Sequence, residues 1–210
     1  MIKKKQKFDQ KRNTINRFQE EKPTEKMVYF KLKLPIKKIS KESENSINEK
    51  IKKNIINPKI SFATSKDIPN IVKLYNRSWL TSNTPFSLIT TEQLEDLFYN
   101  PKFIFLIAKV YGIDAGFVIL GYEGLNNEYG MIDGLGIEPR FQRKGIGIAL
   151  GFAVWNLFKQ NHVKELRCEI YYKNRASLNF VKSLGFEIYD VSVDFIYDKE
   201  TYSSEEERNI

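Results

Sequence analysis

The segment Gln142-Arg143-Lys144-Gly145-Ile146-Gly147 is the part of the chain whose residue types and spacing point most directly to chemistry. Two glycines let the backbone approach a ligand closely. The apolar helical pattern that follows, from Ile148 to Phe158, places unpaired N–H groups and the positive end of a helix dipole beside them. Arg143 and Lys144 add charge, so the segment reads as a cradle for a phosphate or another anion. It follows an apolar, strand-like run ending Leu135-Gly136-Ile137-Glu138-Pro139, which would aim the bound group across a sheet.

Other anion-binding patterns fit less well. Gly145-Ile146-Gly147-Ile148-Ala149-Leu150-Gly151 matches a G-x-G-x-x-x-G variant of the dinucleotide fingerprint, with Glu169 near the place of a ribose-binding acid. In that fingerprint the glycines follow their strand directly, whereas Pro139 to Lys144 intervenes here, and too little chain remains for further parallel units. No G-K-[ST] follows at the spacing of a Walker loop. The single cysteine, Cys168, excludes an intramolecular disulfide, and the single histidine, His162, excludes the usual Cys/His metal sites, so no metal is expected.

The elements that must position the segment can be read around it. Met27 to Ile36 alternates as a short strand whose partner stays open, and Ile47, Ile51 and Ile55 place a short helix over 46–56. Ile60 to Ala63 is a strand. Thr64 or Ser65 then caps a helix carrying Ile68, Ile71, Val72 and Tyr75 inward, and a second helix runs from Thr91 to Tyr99. Between them lies a polar loop, and Trp79, Phe86 and Tyr99 are candidates to line a pocket there. Strands over 102–110 and 116–122 form a hairpin through Tyr111-Gly112-Ile113-Asp114, and 129–137 returns as a strand. A long helix to about Asn161, a strand over 165–172, a helix over 175–184 stopped by Gly185, and strands over 186–189 and 192–197 complete the order.

Charge divides the chain. Residues 1 to 59 carry 18 Lys/Arg against 7 Asp/Glu, while residues 60 to 210 carry 16 against 19, so the overall +8 belongs to the N-terminal part. We therefore expect a basic extension over 1–58, partly ordered, a domain over 59–198 and an acidic tail over 199–210. A basic arm suits RNA or another anionic partner through counterion release, or a solvated tail. Neither a signal peptide nor a run of about 18 apolar residues occurs, so the expectation is a cytoplasmic protein without a membrane span.

The glycine segment with its Ile137-Glu138-Pro139 lead-in resembles the acyl-CoA signature of the GNAT (Gcn5-related) N-acetyltransferase superfamily, a strand ending V-x-P followed by [QR]-x-x-G-x-[GA]. Asn174 to Phe186 resembles the N-x(10)-G-F helix of the same family. The resemblance covers Ile60 to about Tyr197 and implies an α/β (α+β) acyl-CoA N-acyltransferase fold. That fold is a mixed, mostly antiparallel sheet of about six to seven strands flanked by about four helices. It also implies acetyl-CoA as cosubstrate and direct transfer to a primary amine in a ternary complex. The acceptor, a protein N-terminus, a lysine or a small amine, stays open, and dimers are common among relatives.

The same resemblance assigns the cofactor site to Leu135, Gly136 and Ile137, which would hold the pantetheine, to Gln142, Arg143, Lys144, Gly145, Ile146 and Gly147, which would hold the pyrophosphate, and to Asn174. An alkyl amine is mostly protonated at neutral pH, so transfer calls for a base. Asp133, with the parity of Leu135 and Ile137, is the first candidate and Glu128 the second. Many relatives carry a tyrosine seven residues after the helix Asn, where it protonates the leaving sulfur. Val181 stands there in this chain, which makes Tyr172 and Ser177 candidate substitutes. That departure keeps a second reading open, a catalytically weak GNAT-like module that binds acyl-CoA, RNA or protein.

Overall fold

The structure, a computed structural model, describes residues 25–53, 56–80, 82 and 88–196. Its centre is a seven-stranded sheet built from β1 (Glu25–Pro35), β2 (Lys59–Phe62), β3 (Phe103–Val110), β4 (Ile113–Glu123), β5 (Tyr129–Ile137), β6 (Glu165–Tyr171) and β7 (Glu187–Ile196). The strands lie in the order β2-β3-β4-β5-β6-β1-β7. β2 to β5 pair antiparallel in sequence, β5 and β6 run parallel, and β1 is antiparallel to both its neighbours.

Five helices are described: α1 (Lys41–Lys53), α2 (Ile68–Leu80), α3 (Thr91–Phe98), α4 (Ile146–Gln160) and α5 (Arg175–Ser183). α2 and α3 cover the front of β3 to β5, where Ile71, Leu74 and Leu94 meet Phe105, Ile107, Phe117 and Ile119. α4 and α5 cover the back, where Leu150, Val154, Phe158 and Leu178 meet Val118, Leu120, Leu166 and Cys168. α4 follows from its sequence: an almost wholly apolar helix is stable only when buried on more than one side. It packs on the sheet, and α1 packs on α4. Glu44 of α1 accepts hydrogen bonds from Trp155 Nε1 at 2.8 Å and Lys159 Nζ at 2.6 Å.

The alternation over 27–36 does form a strand, and the structure supplies its partners. Leu32 and Leu34 face the back core, Tyr29, Lys31 and Lys33 the front, and both edges are paired. Two closing strands were expected after α5; a single strand, β7, is found, with its bulge at Tyr189 opposite Lys31 and Leu32. The place a closing hairpin partner would take is occupied by β1. The helix expected over 46–56 begins earlier, at Lys41, because the Glu44 contacts fasten its first turn to α4, whereas the isoleucine spacing marks only the later turns. Ile55, Phe86 and the acidic tail from 199 lie outside the described residues. Among the described residues no helix is long and apolar enough to cross a membrane.

Candidate active site

The parallel ladder between β5 and β6 is short. It joins Tyr129 to Glu165 and ends at Ile132 with Cys168, after which the two strands part. β5 nevertheless continues to Ile137, held on its other edge by β4 through Gly134, Leu135, Gly136 and Ile137. A fork therefore opens in the middle of the sheet, with β5 backbone along one side and Glu169 to Tyr171 along the other.

The glycine segment begins where β5 ends. A short 3-10 turn, Pro139–Phe141, leads into Gln142, whose Nε2 donates back to Ile137 O at 3.2 Å. Arg143 is left-handed at φ 57 and Gly145, the N-cap of α4, at φ 80 with no side-chain cap. These two positive φ values curl the backbone so that the N–H groups of α4's first turn face out at the base of the fork. No acidic residue lies in that turn, and Gln142, Arg143 and Lys144 are exposed. Ile146 is buried and anchors the turn. A Cβ on Gly147 would lie 3.2 Å from the Phe180 ring, so α5 packs against the cradle from the side. Exposed N–H groups beside two cations, with no acidic residue in the turn, suit an anionic ligand.

Asn174 caps α5, its Oδ1 accepting from Ser177 N at 3.1 Å, and its own N–H donates to Tyr171 O at 2.9 Å. It thereby ties α5 to the end of β6. Val181, partly buried, packs on the back core rather than into the fork, and Tyr172 sits beyond β6 with its N–H on Val28 O at 3.0 Å and its ring edge-on to Tyr171.

The structure corrects the expected orientation of Asp133. The β4–β5 register shifts between Ile119 and Leu120, so Asp133 is the extra residue of a bulge. The bulge reverses parity: Leu135 and Ile137 face the back, whereas the Asp133 carboxylate lies over Gly121 on the front, where a Cβ would come within 2.6 Å of Oδ2. Asp133 is thus on the face of α2, beside the fork. Glu128 is at the other end of β5, in the turn before it, where its Oε2 accepts from Asn126 N at 3.1 Å. The backbone hydrogen bonds of the turn hold the Glu128 carboxyl below the usual carboxylate range. About seven strand residues, roughly 23 Å, separate Glu128 from Leu135.

Gly134, Ser78 and Arg77 join the site without having been singled out in the sequence, beside Trp79 and Gly136, which were. α2 lies against the front of β5 because Gly134 and Gly136 have no side chains: Trp79 is 3.7 Å from the Cβ position of Gly134, and Ser78 with Phe117 fills that of Gly136. Trp79 stacks on Tyr75 with centroids 4.4 Å apart. Tyr75 was expected inward and Trp79 in a pocket, and their i, i+4 spacing puts both on one face of α2. Arg77 reaches Glu138, inside the signature itself, at 3.1 Å. Across the fork, Tyr171 and Tyr29 meet edge to face at 5.6 Å. Cys168, at the last ladder pair, is buried; burial together with the Glu169 charge pushes its thiol up to about 12, which leaves no nucleophile there. Tyr99, the C-cap of α3, is exposed and T-shaped to Phe98.

A family model described as Acetyltransferase (GNAT) family matches residues 68–186. No curated protein matches the chain. Among solved structures, a PaiA N-acetyltransferase from Thermoplasma acidophilum in complex with coenzyme A superposes with a TM-score of 0.58 at 18% identity, covering 66% of this chain and 98% of that one. The ribosomal-protein-S18-alanine N-acetyltransferase from Escherichia coli gives 0.54 at 18% identity, covering 69% and 97%. A functionally unknown conserved protein from Staphylococcus epidermidis ATCC 12228 gives 0.58 at 17% identity over 80% of this chain, which spans 60% of that protein's length. At these identities the likeness concerns the fold.

Proposed function

The chain belongs to the GNAT acetyltransferase family, and from that premise we propose that it is an N-acetyltransferase that moves an acetyl group from acetyl-CoA to a primary amine by direct attack in a ternary complex. The observation that carries this reading is the juxtaposition of two features on one strand. β5 loses its β6 neighbour after Ile132, and the same strand delivers the glycine cradle at its end. Bound acetyl-CoA would supply an activated thioester.

The remaining work falls to the chain. Backbone from Leu135 to Ile137 lines the fork and would take the pantetheine arm as an added strand, with an N–H near Leu135 or Gly136 positioned for the developing oxyanion. Gln142 to Gly147 would bind the pyrophosphate through N–H groups and the charges of Arg143 and Lys144. Asn174 holds the start of α5 against the end of β6. α2 closes the front over Gly134 and Gly136, so the amine enters from the front, between Trp79 and the Tyr171–Tyr29 wall. Asp133, turned to that side by its bulge, is the residue we place as the base. Tyr172 remains the candidate proton donor for the leaving sulfur, and a thiol of pKa near 8.5 leaves tolerably without one. The catalytic unit is residues 59–198 completed by β1, and the expected setting is the cytoplasm.

The test is incubation of the purified chain with labelled acetyl-CoA and a panel of amines, following coenzyme A release and label transfer together. Transfer to any amine supports the reading. Tight cofactor binding without transfer to any acceptor overturns it in favour of a binding module, the alternative that Val181 favours.

A further inference from the structure

Behind the paired end of the β5–β6 ladder, the back layer encloses a cavity of about 40 Å³. Its floor is the cross-strand pair Leu34 and Leu166, on β1 and β6. One wall is α4, through Ile148, Gly151 and Trp155, whose i, i+3 and i+7 spacing puts them on a single helix face. Leu184, the C-cap of α5, closes the side at Gly151, and α1 covers the space with Ile47. The cavity also touches both parts of the candidate active site. Ile148 follows Gly147 directly, and Ile132, another lining residue, is the last β5 residue paired to β6 before the fork opens.

The chemistry of the lining is narrow. Among the described residues the side chains around the space are apolar except for the Trp155 indole N–H and the Glu44 carboxylate. These two bond to each other: Trp155 Nε1 donates to Glu44 Oε1 at 2.8 Å, and Lys159 Nζ donates to the same oxygen at 2.6 Å. The volume would admit water, since about 10–15 Å³ is enough for one molecule, but water is held in proteins where several polar groups converge, and apolar cavities stay dry.

Gly151 keeps the space open. Glycine inside a helix is less stable than alanine, because it gives up more backbone freedom on folding. A Cβ at this position would stand 3.3 Å from Leu184 Cδ1, between two lining residues. Bare backbone is therefore found at the point where a side chain would narrow the cavity.

We propose that this cavity is a binding site for one small, uncharged hydrocarbon molecule, a single ring or a short branched chain, seated between α1, α4 and the back of the sheet. A cationic ligand would find the Glu44 carboxylate already held by Lys159 and Trp155, and an anionic one would meet that carboxylate at the wall. Volume sets the size. An apolar cavity of about 150 Å³ accommodates benzene, so a ring enters here as α1 moves outward from α4, and xenon needs less movement. The site does not depend on the acetyltransferase reading.

The experiment uses the full chain in a Trp79→Phe background, where Trp155 emission reports from the cavity wall, together with crystals under xenon pressure. Toluene should give a saturable change in emission and raise the melting temperature, and xenon density should appear between Ile47 and Leu166. Benzylammonium, of similar shape but charged, should do neither. Gly151→Ala and Ile47→Phe, each of which reduces the space, should weaken toluene binding several-fold; Gly151→Ala, favoured within a helix, keeps the test valid where Ile47→Phe disturbs α1. No saturable change with no xenon density overturns the site, as does equal binding by the parent and Gly151→Ala. Equal binding of benzylammonium overturns the uncharged class. Toluene should still bind with saturating acetyl-CoA or hexanoyl-CoA present. Loss of toluene binding with hexanoyl-CoA alone overturns the free molecule as occupant and assigns the space to a longer acyl chain.

Discussion

Arg77 on α2 and Glu138 in the signature turn form an ion pair at 3.1 Å whose two ends differ in environment, the arginine side chain being 62% exposed and the glutamate 11%. The pair ties the helix that covers the front of the fork to the residue that opens the turn leading into α4. Its asymmetry yields a prediction. Replacing Arg77 by Ala leaves a nearly buried carboxylate without this partner, which costs about 1–3 kcal/mol, while Glu138→Gln leaves only an exposed cation and costs less. Denaturant melts of the two variants check the order; equal losses would show that the pair is not what holds Glu138.

The cradle is tested at its glycines. Gly145 sits at φ 80, where a Cβ costs about 1–2 kcal/mol, and a side chain on Gly147 would press on Phe180 and cover the N–H groups of the turn. Gly145→Ala and Gly147→Val are expected to weaken acetyl-CoA binding by tenfold or more in calorimetry, with Gly147→Val retaining the far-UV spectrum of the parent.

For proton transfer, Asp133→Asn keeps size and removes basicity. The expected loss is about 10²- to 10⁴-fold in kcat, with little change in KM for acetyl-CoA and a changed pH–rate profile. An unaltered profile removes Asp133 as the base and leaves it as a bulge residue.

Docking of α1 should fail in acid. Hydrogen bonds from Lys159 and then Trp155 hold the Glu44 carboxyl below the usual carboxylate range. A depressed folded value means this contribution is complete above the unfolded pKa, about 4.3, and is lost as pH falls through the folded value. Trp155 emission in a Trp79→Phe background should shift in that window. Glu44→Gln should abolish the dependence, and a transition that survives the substitution would point to another carboxylate.

Alkali should act through Cys168. Its thiol ionises near 8.5 in the unfolded chain but is pushed up to about 12 in the fold, so the stabilising effect is complete below about 8.5 and declines as pH rises. Thermal melts between about pH 8 and 9.5 should show a fall in stability that Cys168→Ala flattens, and Cys168 should resist thiol reagents until the chain unfolds.

Residue order alone fixed much of this molecule. The fold class, the strand that carries the signature, the glycine cradle and the Asn174 cap were all legible, because each depends on local pattern: alternation along a strand, glycine at a turn, a small amide at a helix start. What local pattern cannot report is which strands become neighbours. That β1 slips between β6 and β7, and that β6 leaves β5 after four residues, are choices among competing pairings of similar edges, settled by which faces the rest of the sheet leaves uncovered. The bulge is of the same kind. A single extra residue against β4 turned Asp133 from the back to the front, because side-chain direction in a strand follows register and register belongs to the pair. The sequence by itself thus determined the glycine turn that opens α4; only the tertiary structure decided which carboxylate, which aromatic wall and which strand stand at the fork beside it.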